Sequence, residues 1–177
     1  VSAIWVFGYG SLIWRPAFDF LERRKARISG FVRRLFQGSD DHRGVPGALG
    51  RVATLIPTLE GEVVGVAYRL GPDQAPSILA ALDHREKNGY ARYVLPLFDD
   101  DGAAFAEGIV FVATESNPNF LGPAPLAEIA AQIASAVGPS GANVEYVVEL
   151  ARALRDLGDP DPHLDEIVAA LGQNRGG

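Results

Sequence analysis

Two short segments of this 177-residue chain carry residues whose types and spacing suit chemistry. The first is Gly8-Tyr9-Gly10-Ser11-Leu12-Ile13, directly after an apolar run over residues 4–7. Two glycines around a tyrosine allow unusual backbone dihedrals, so consecutive N–H groups can converge on an anion. A tight turn leaving a strand explains the same residues, and both readings stay open. A dinucleotide fingerprint is excluded, because Ile13 stands where its third glycine belongs. Ser11 lacks the G-x-S-x-G setting of a nucleophilic serine.

The second segment is Leu82-Asp83-His84-Arg85-Glu86-Lys87-Asn88-Gly89-Tyr90. Charges of both signs crowd the end of an apolar helical pattern, and Gly89 supplies a stop. One reading is a solvated helix end with local ion pairs. The other turns a carboxylate into a cleft, where desolvation raises its pKa and suits it to proton transfer. A third polar stretch, residues 37–44, holds Asp40, Asp41 and His42. The three histidines, His42, His84 and His163, show no ligand-like pairing, so a structural or substrate-contacting loop is preferred there to a metal site. Tyr146 lies one position ahead of the apolar face of its helix and reads as a rim residue of the core.

The elements that must position these residues are strands first and helices last. Strands are expected over residues 4–7, 27–36, 51–56, 62–70, 92–98 and 105–113. Val64, Val66, Tyr68 and Leu70 alternate, which places them on one strand face. Asp99-Asp100-Asp101-Gly102 reads as a hairpin turn. Helical spacing of apolar residues predicts helices over 76–83, 126–137, from Asn143 onward, and over 163–171, with Asn143 as a cap. This order predicts an α+β fold and one domain over residues 1–177, with a tail fraying from about residue 172.

Composition narrows the function classes. A net charge of −6 argues against nucleic acid or an anionic membrane as partner. The absence of cysteine excludes disulfides, thiolate metal sites and a cysteine nucleophile. No run reaches the roughly 20 apolar residues of a membrane span. The first residues, Val1-Ser2-Ala3-Ile4-Trp5, lack the basic region of a signal peptide, so a cytoplasmic protein is expected.

Seven stretches occur in a telling order: WVFGYGSLIW (5–14), FQGSDDHRG (36–44), GALGRVATL (47–55), VVGVAYRL (63–70), LDHREKNGY (82–90), NPNFLGPAPLAEIAAQ (117–132) and GPSGANVEY (138–146). Together they resemble the ChaC family of glutathione-specific γ-glutamylcyclotransferases. The chain departs from that pattern at Phe36, where Trp is common, and at Asn88, where Gly is common. The resemblance implies a mixed α+β architecture around a compact, barrel-like sheet with flanking helices. It also implies that Gly8, Tyr9, Gly10, Ser11, Leu12 and Ile13 hold the γ-glutamyl group and that Glu86 is the acid–base. Tyr146 is a weaker candidate for reaching the substrate. The implied reaction converts glutathione to 5-oxoproline and cysteinylglycine without metal or cofactor. Two rivals remain. One is a cyclotransferase for other γ-glutamyl amines or amino acids; the other is a non-catalytic regulatory protein linked to cation transport.

Overall fold

Five strands, β1 (Ile4–Gly8), β2 (Glu22–Ser39), β3 (Gly50–Leu70), β4 (Tyr90–Phe98) and β5 (Ala104–Ala113), close into a barrel of order β1-β3-β2-β4-β5. Among the described residues four helices accompany them: α1 (Ala75–Asp83), α2 (Leu126–Ser135), α3 (Asn143–Asp156) and α4 (Pro162–Gln173). The structure is a computed structural model and describes residues 2–84 and 89–173. The mixture of barrel and helices is the expected α+β class. No helix among the described residues is long and apolar enough to cross a membrane. The chain divides into two compact units, Val1–Arg33 with Leu55–Pro118 and Arg34–Thr54 with Asn119–Gly177. Both divisions near residues 33 and 55 fall within the long strands β2 and β3.

The first unit is built on backbone ladders. Strand β1 pairs antiparallel with β3, from Ile4↔Leu70 to Gly8↔Val66, and parallel with β5 at Trp5↔Gly108 and Val6↔Ile109. Strands β4 and β5 form the expected hairpin, and the Asp99 carboxylate accepts from the amides of Asp101 and Ala103 in its turn. The sequence suggested two strands over 51–56 and 62–70, whereas β3 is continuous through Pro57 and Gly61. The breakers are tolerated because residues 57–60 are exposed, with Leu59 entirely so. The alternation in β3 is also incomplete. Val63 and Ala67 are as buried as Val66 and Tyr68, so both faces of the strand are covered.

The second unit packs apolar helix faces together: Ile129, Ala130 and Ile133 of α2, Val147, Leu150 and Leu154 of α3, and Leu164 and Ile167 of α4. Helix α2 ends at Ser135, short of the expected Val137, which instead opens a tiny hairpin of β6 (Val137–Gly138) and β7 (Gly141–Ala142). Gly141, at φ +117°, makes that turn.

Asn143 corrects its sequence reading as a cap. Ala142 takes the cap position, and no side chain caps α3. The fully buried Asn143 side chain faces the start of β3: its Oδ1 accepts from the Arg51 amide at 2.7 Å, and its Nδ2 donates to the Arg51 carbonyl at 2.8 Å. A carboxamide carries the donor and acceptor of a peptide group, so Asn143 stands in for a strand neighbour.

Candidate functional site

Strand β1, paired with β3 on one side and β5 on the other, delivers the glycine segment. At its end the chain folds back into a single 3-10 turn, Ser11–Ile13, in which the Gly10 carbonyl accepts from the Ile13 amide at 3.0 Å. The Ser11 carbonyl accepts from Trp14 and Arg15, at 3.2 and 2.8 Å. Neither Gly8 nor Gly10 has positive φ; Gly10 sits at −126°. What requires glycine at position 8 is space, since a Cβ there would lie 2.7 Å from the Cβ of Leu12. The sequence reading attributed these glycines to unusual dihedrals, and at Gly8 the closeness of the returning chain is the physical reason instead.

The carbonyls of this loop are held from beneath. The Tyr9 carbonyl accepts from the Nε of Arg33 at 2.8 Å, and Arg33 also donates to the Val64 carbonyl. The Tyr68 hydroxyl donates to the Leu12 carbonyl at 2.5 Å and lies 3.3 Å from that of Ile13, which also accepts from Arg23 at 3.2 Å. Burial pushes the Tyr68 phenol above its ordinary pKa, with Arg23 beside it pulling the other way. The hydroxyl therefore remains a donor. The Tyr9 side chain is buried and donates its hydroxyl to the Phe111 carbonyl of β5 at 2.6 Å. Leu12 and Ile13 also bury their side chains, whereas Gly10 and Ser11 are half-buried.

Glu86 lies outside the described residues, in the connection between α1 and β4. The ends of that connection are defined. Helix α1 stops at Asp83, with His84 as its cap. Gly89 has φ +86°, which favours glycine, and a Cβ there would also press on the Asn117 carboxamide, 2.9 Å from its Nδ2. The Asp83 carboxylate pairs with Arg92 of β4 at 3.2 Å, an ion pair across elements rather than within the helix.

The remaining candidates belong to the second unit. Tyr146 is more deeply buried than a rim residue, and its hydroxyl accepts from the Ala53 amide at 3.0 Å. His42 is exposed, with its Nδ1 3.1 Å from the Ser140 hydroxyl, and His163 accepts from the Leu35 amide at 3.0 Å. Arg51 is buried and donates to the carbonyls of Leu35 and Gly122, both at 3.0 Å, and to Gln132 at 2.7 Å; burial lowers its pKa. Sequence reasoning missed Arg33, Arg51 and the anchoring role of His163. The available signal was a charged residue inside an otherwise apolar strand run, as in Phe31-Val32-Arg33-Arg34-Leu35.

Both the sequence and the barrel-and-helix fold have known kin. The chain belongs to the ChaC-like protein family, whose model matches residues 4–174. It is 43% identical over 173 residues to γ-glutamylcyclotransferase 2-3 of Arabidopsis thaliana, covering 94% of this chain and 87% of that protein. It is 40% identical to the human glutathione-specific γ-glutamylcyclotransferase 1, covering 97% of this chain and 79% of the relative. Among solved structures, a yeast γ-glutamyl cyclotransferase specific to glutathione superposes with a TM-score of 0.89 at 30% identity, covering 99% and 98% of the two chains. A further γ-glutamyl cyclotransferase, at 16% identity and a TM-score of 0.58, shares the fold.

Proposed function

We propose that this protein cleaves glutathione by cyclising its γ-glutamyl group, releasing 5-oxoproline and cysteinylglycine. The observation that carries the reading is the near-complete match, in sequence and in fold, to relatives named for that activity. The chemistry is economical. The substrate's α-amine attacks its own γ-amide carbonyl, a five-membered ring closes, and the bond to the cysteinyl nitrogen breaks. No water is consumed. The reaction needs no metal or cofactor in this reading, because the nucleophile and electrophile belong to one molecule.

Two tasks fall to the protein. It must fold the γ-glutamyl arm into a near-attack pose, a contribution worth about 7–11 kcal/mol. Backbone amides over residues 8–12 suit the α-carboxylate, that of Gly10 above all, since the carbonyl of its peptide is drawn the other way by Arg33. It must also take a proton from the attacking ammonium and return one to the leaving nitrogen. A single carboxylate between the two does both in turn, and we assign that shuttle to Glu86. We further propose that the chain acts as one domain, and the absence of cysteine supports a cytoplasmic setting.

The test is incubation with glutathione alongside a panel of γ-glutamyl amines and amino acids, with products read by mass. Matched 5-oxoproline and cysteinylglycine from glutathione is expected. Release of 5-oxoproline only from other γ-glutamyl compounds would transfer the activity to them, and no release from any would leave a non-catalytic protein.

A further inference from the structure

We propose that Arg33 is a positioning residue for the substrate's α-carboxylate, acting by fixing the Tyr9–Gly10 peptide so that the Gly10 N–H faces the γ-glutamyl group. The inference rests on the reading above that the 8–13 loop holds that group.

Arg33 is 4% exposed, although it belongs to a pair of adjacent arginines, Arg33 and Arg34. Gly30 decides which of the two turns inward. Before it, the buried positions of β2 are Ala26 and Ile28; after it they begin with Phe31, Arg33 and Leu35. Gly30 takes φ +88°, and the strand's inward parity switches from even to odd there. Without that switch Arg34 would face inward and Arg33 outward.

Burying a guanidinium is costly in desolvation unless its donors are well used, and an apolar side chain would fill the position more cheaply. Two of the donors go to backbone carbonyls, Tyr9 in the loop and Val64 in β3. The peptide following Tyr9 is trans, like all those described, so its carbonyl and the Gly10 amide point in opposite directions. With the carbonyl tied to Arg33 at 2.8 Å, the amide is aimed away from that buried guanidinium, and Gly10 and Ser11 are themselves half-buried rather than buried. A cation on the oxygen also polarises the peptide and strengthens its N–H as a donor. Arg33 therefore acts on a bound anion through one peptide plane, without touching it.

The experiment crosses Arg33→Met and Arg33→Lys with two substrates, glutathione and its analogue bearing a carboxamide in place of the γ-glutamyl α-carboxylate. For glutathione, Arg33→Met should raise KM by about tenfold or more with a smaller change in kcat, and Arg33→Lys should recover part of the loss. For the carboxamide, KM should hardly move; where turnover is too slow, its inhibition constant serves. Equal losses on both substrates, or no loss on either, would overturn the proposal. If the variants do not fold, the wild-type protein decides: the Gly10 amide proton should shift downfield on titration with 5-oxoproline and not with its carboxamide. An unmoved Gly10 resonance overturns the proposal as well. Failure of the functional reading looks different, because wild-type protein would then release neither 5-oxoproline from glutathione nor 5-oxoprolinamide from the analogue.

Discussion

The two units solve the same problem, buried backbone polarity, in opposite ways. In the first, carbonyls and amides pair with one another along ladders, as from Tyr90↔Ala113 to Leu97↔Ala106. In the second, side chains do much of that work: Asn143 serves both backbone groups of Arg51, Tyr146 serves the Ala53 amide, and His163 and Arg51 serve the amide and carbonyl of Leu35. A ladder tolerates any strand-forming residue, whereas a side-chain anchor requires one residue type at one place. The first unit uses such anchors at its glycine loop, through Arg33, Tyr68 and Tyr9.

The sharpest separation of chemistry from anchoring comes from Glu86→Gln. Glutamine preserves volume but cannot cycle a proton, so kcat should fall by about 10²–10⁴-fold while substrate still binds and the melting temperature holds or rises. A near-normal kcat would move the proton shuttle elsewhere. Asp83→Asn, which breaks the pair with Arg92, is the control and should keep far more activity.

The anchored unit is tested by Asn143→Leu, a swap of similar volume that orphans the amide and carbonyl of Arg51 at once. Each orphaned group should cost about 1–3 kcal/mol of stability, measured by denaturant unfolding. A loss within error would mean the start of β3 is held by other means and would erase the contrast between the units.

Tyr146→Phe removes one acceptor, that of the Ala53 amide, and should cost about 1–3 kcal/mol with KM for glutathione nearly unchanged. A large rise in KM would give Tyr146 a contact with substrate in addition to its anchor.

The smallest effect belongs to the ladder unit's surface. Hydrogen bonds from Lys25 and Arg27 hold the Asp100 carboxylate below its ordinary pKa of 3.8. A carboxyl with a depressed folded pKa stabilises the fold above its ordinary value and loses that contribution as pH falls through the lowered one. Asp100→Asn should therefore lower the melting temperature slightly at neutral pH, with the difference from wild type fading below pH 3.8. A difference that persisted at lower pH would have another cause.

The ladder unit was the more legible in sequence. Alternating apolar residues and Gly-bearing turns marked β1, β4 and β5 nearly to their ends, because a strand's pattern is local. The continuity of β3 through Pro57 and Gly61 was hidden, since those residues read as breaks wherever the middle of a strand is exposed. Polar anchors were less legible still. Asn143 read as a cap because caps are local and common, whereas its partner, Arg51, is far away in sequence. The glycine loop was legible as a motif, but its support was not: Arg33 looks like surface charge until Gly30 turns it inward. Glu86 was reached through resemblance alone.

The parallel pairing of β1 with β5 also governs when the glycine loop can exist during synthesis. Its two strands lie roughly a hundred residues apart, so closing the barrel carries the loop-closure entropy of a distant contact. The Tyr9 hydroxyl likewise waits for the carbonyl of Phe111. A nascent chain that has not yet emerged past Ile109 offers β1 only one of its two neighbours, and the loop that follows lacks its support on the β5 side. Strand β1 and its glycine loop are made before β5 and completed after it, so a partly made chain carries that loop without the barrel that shapes it.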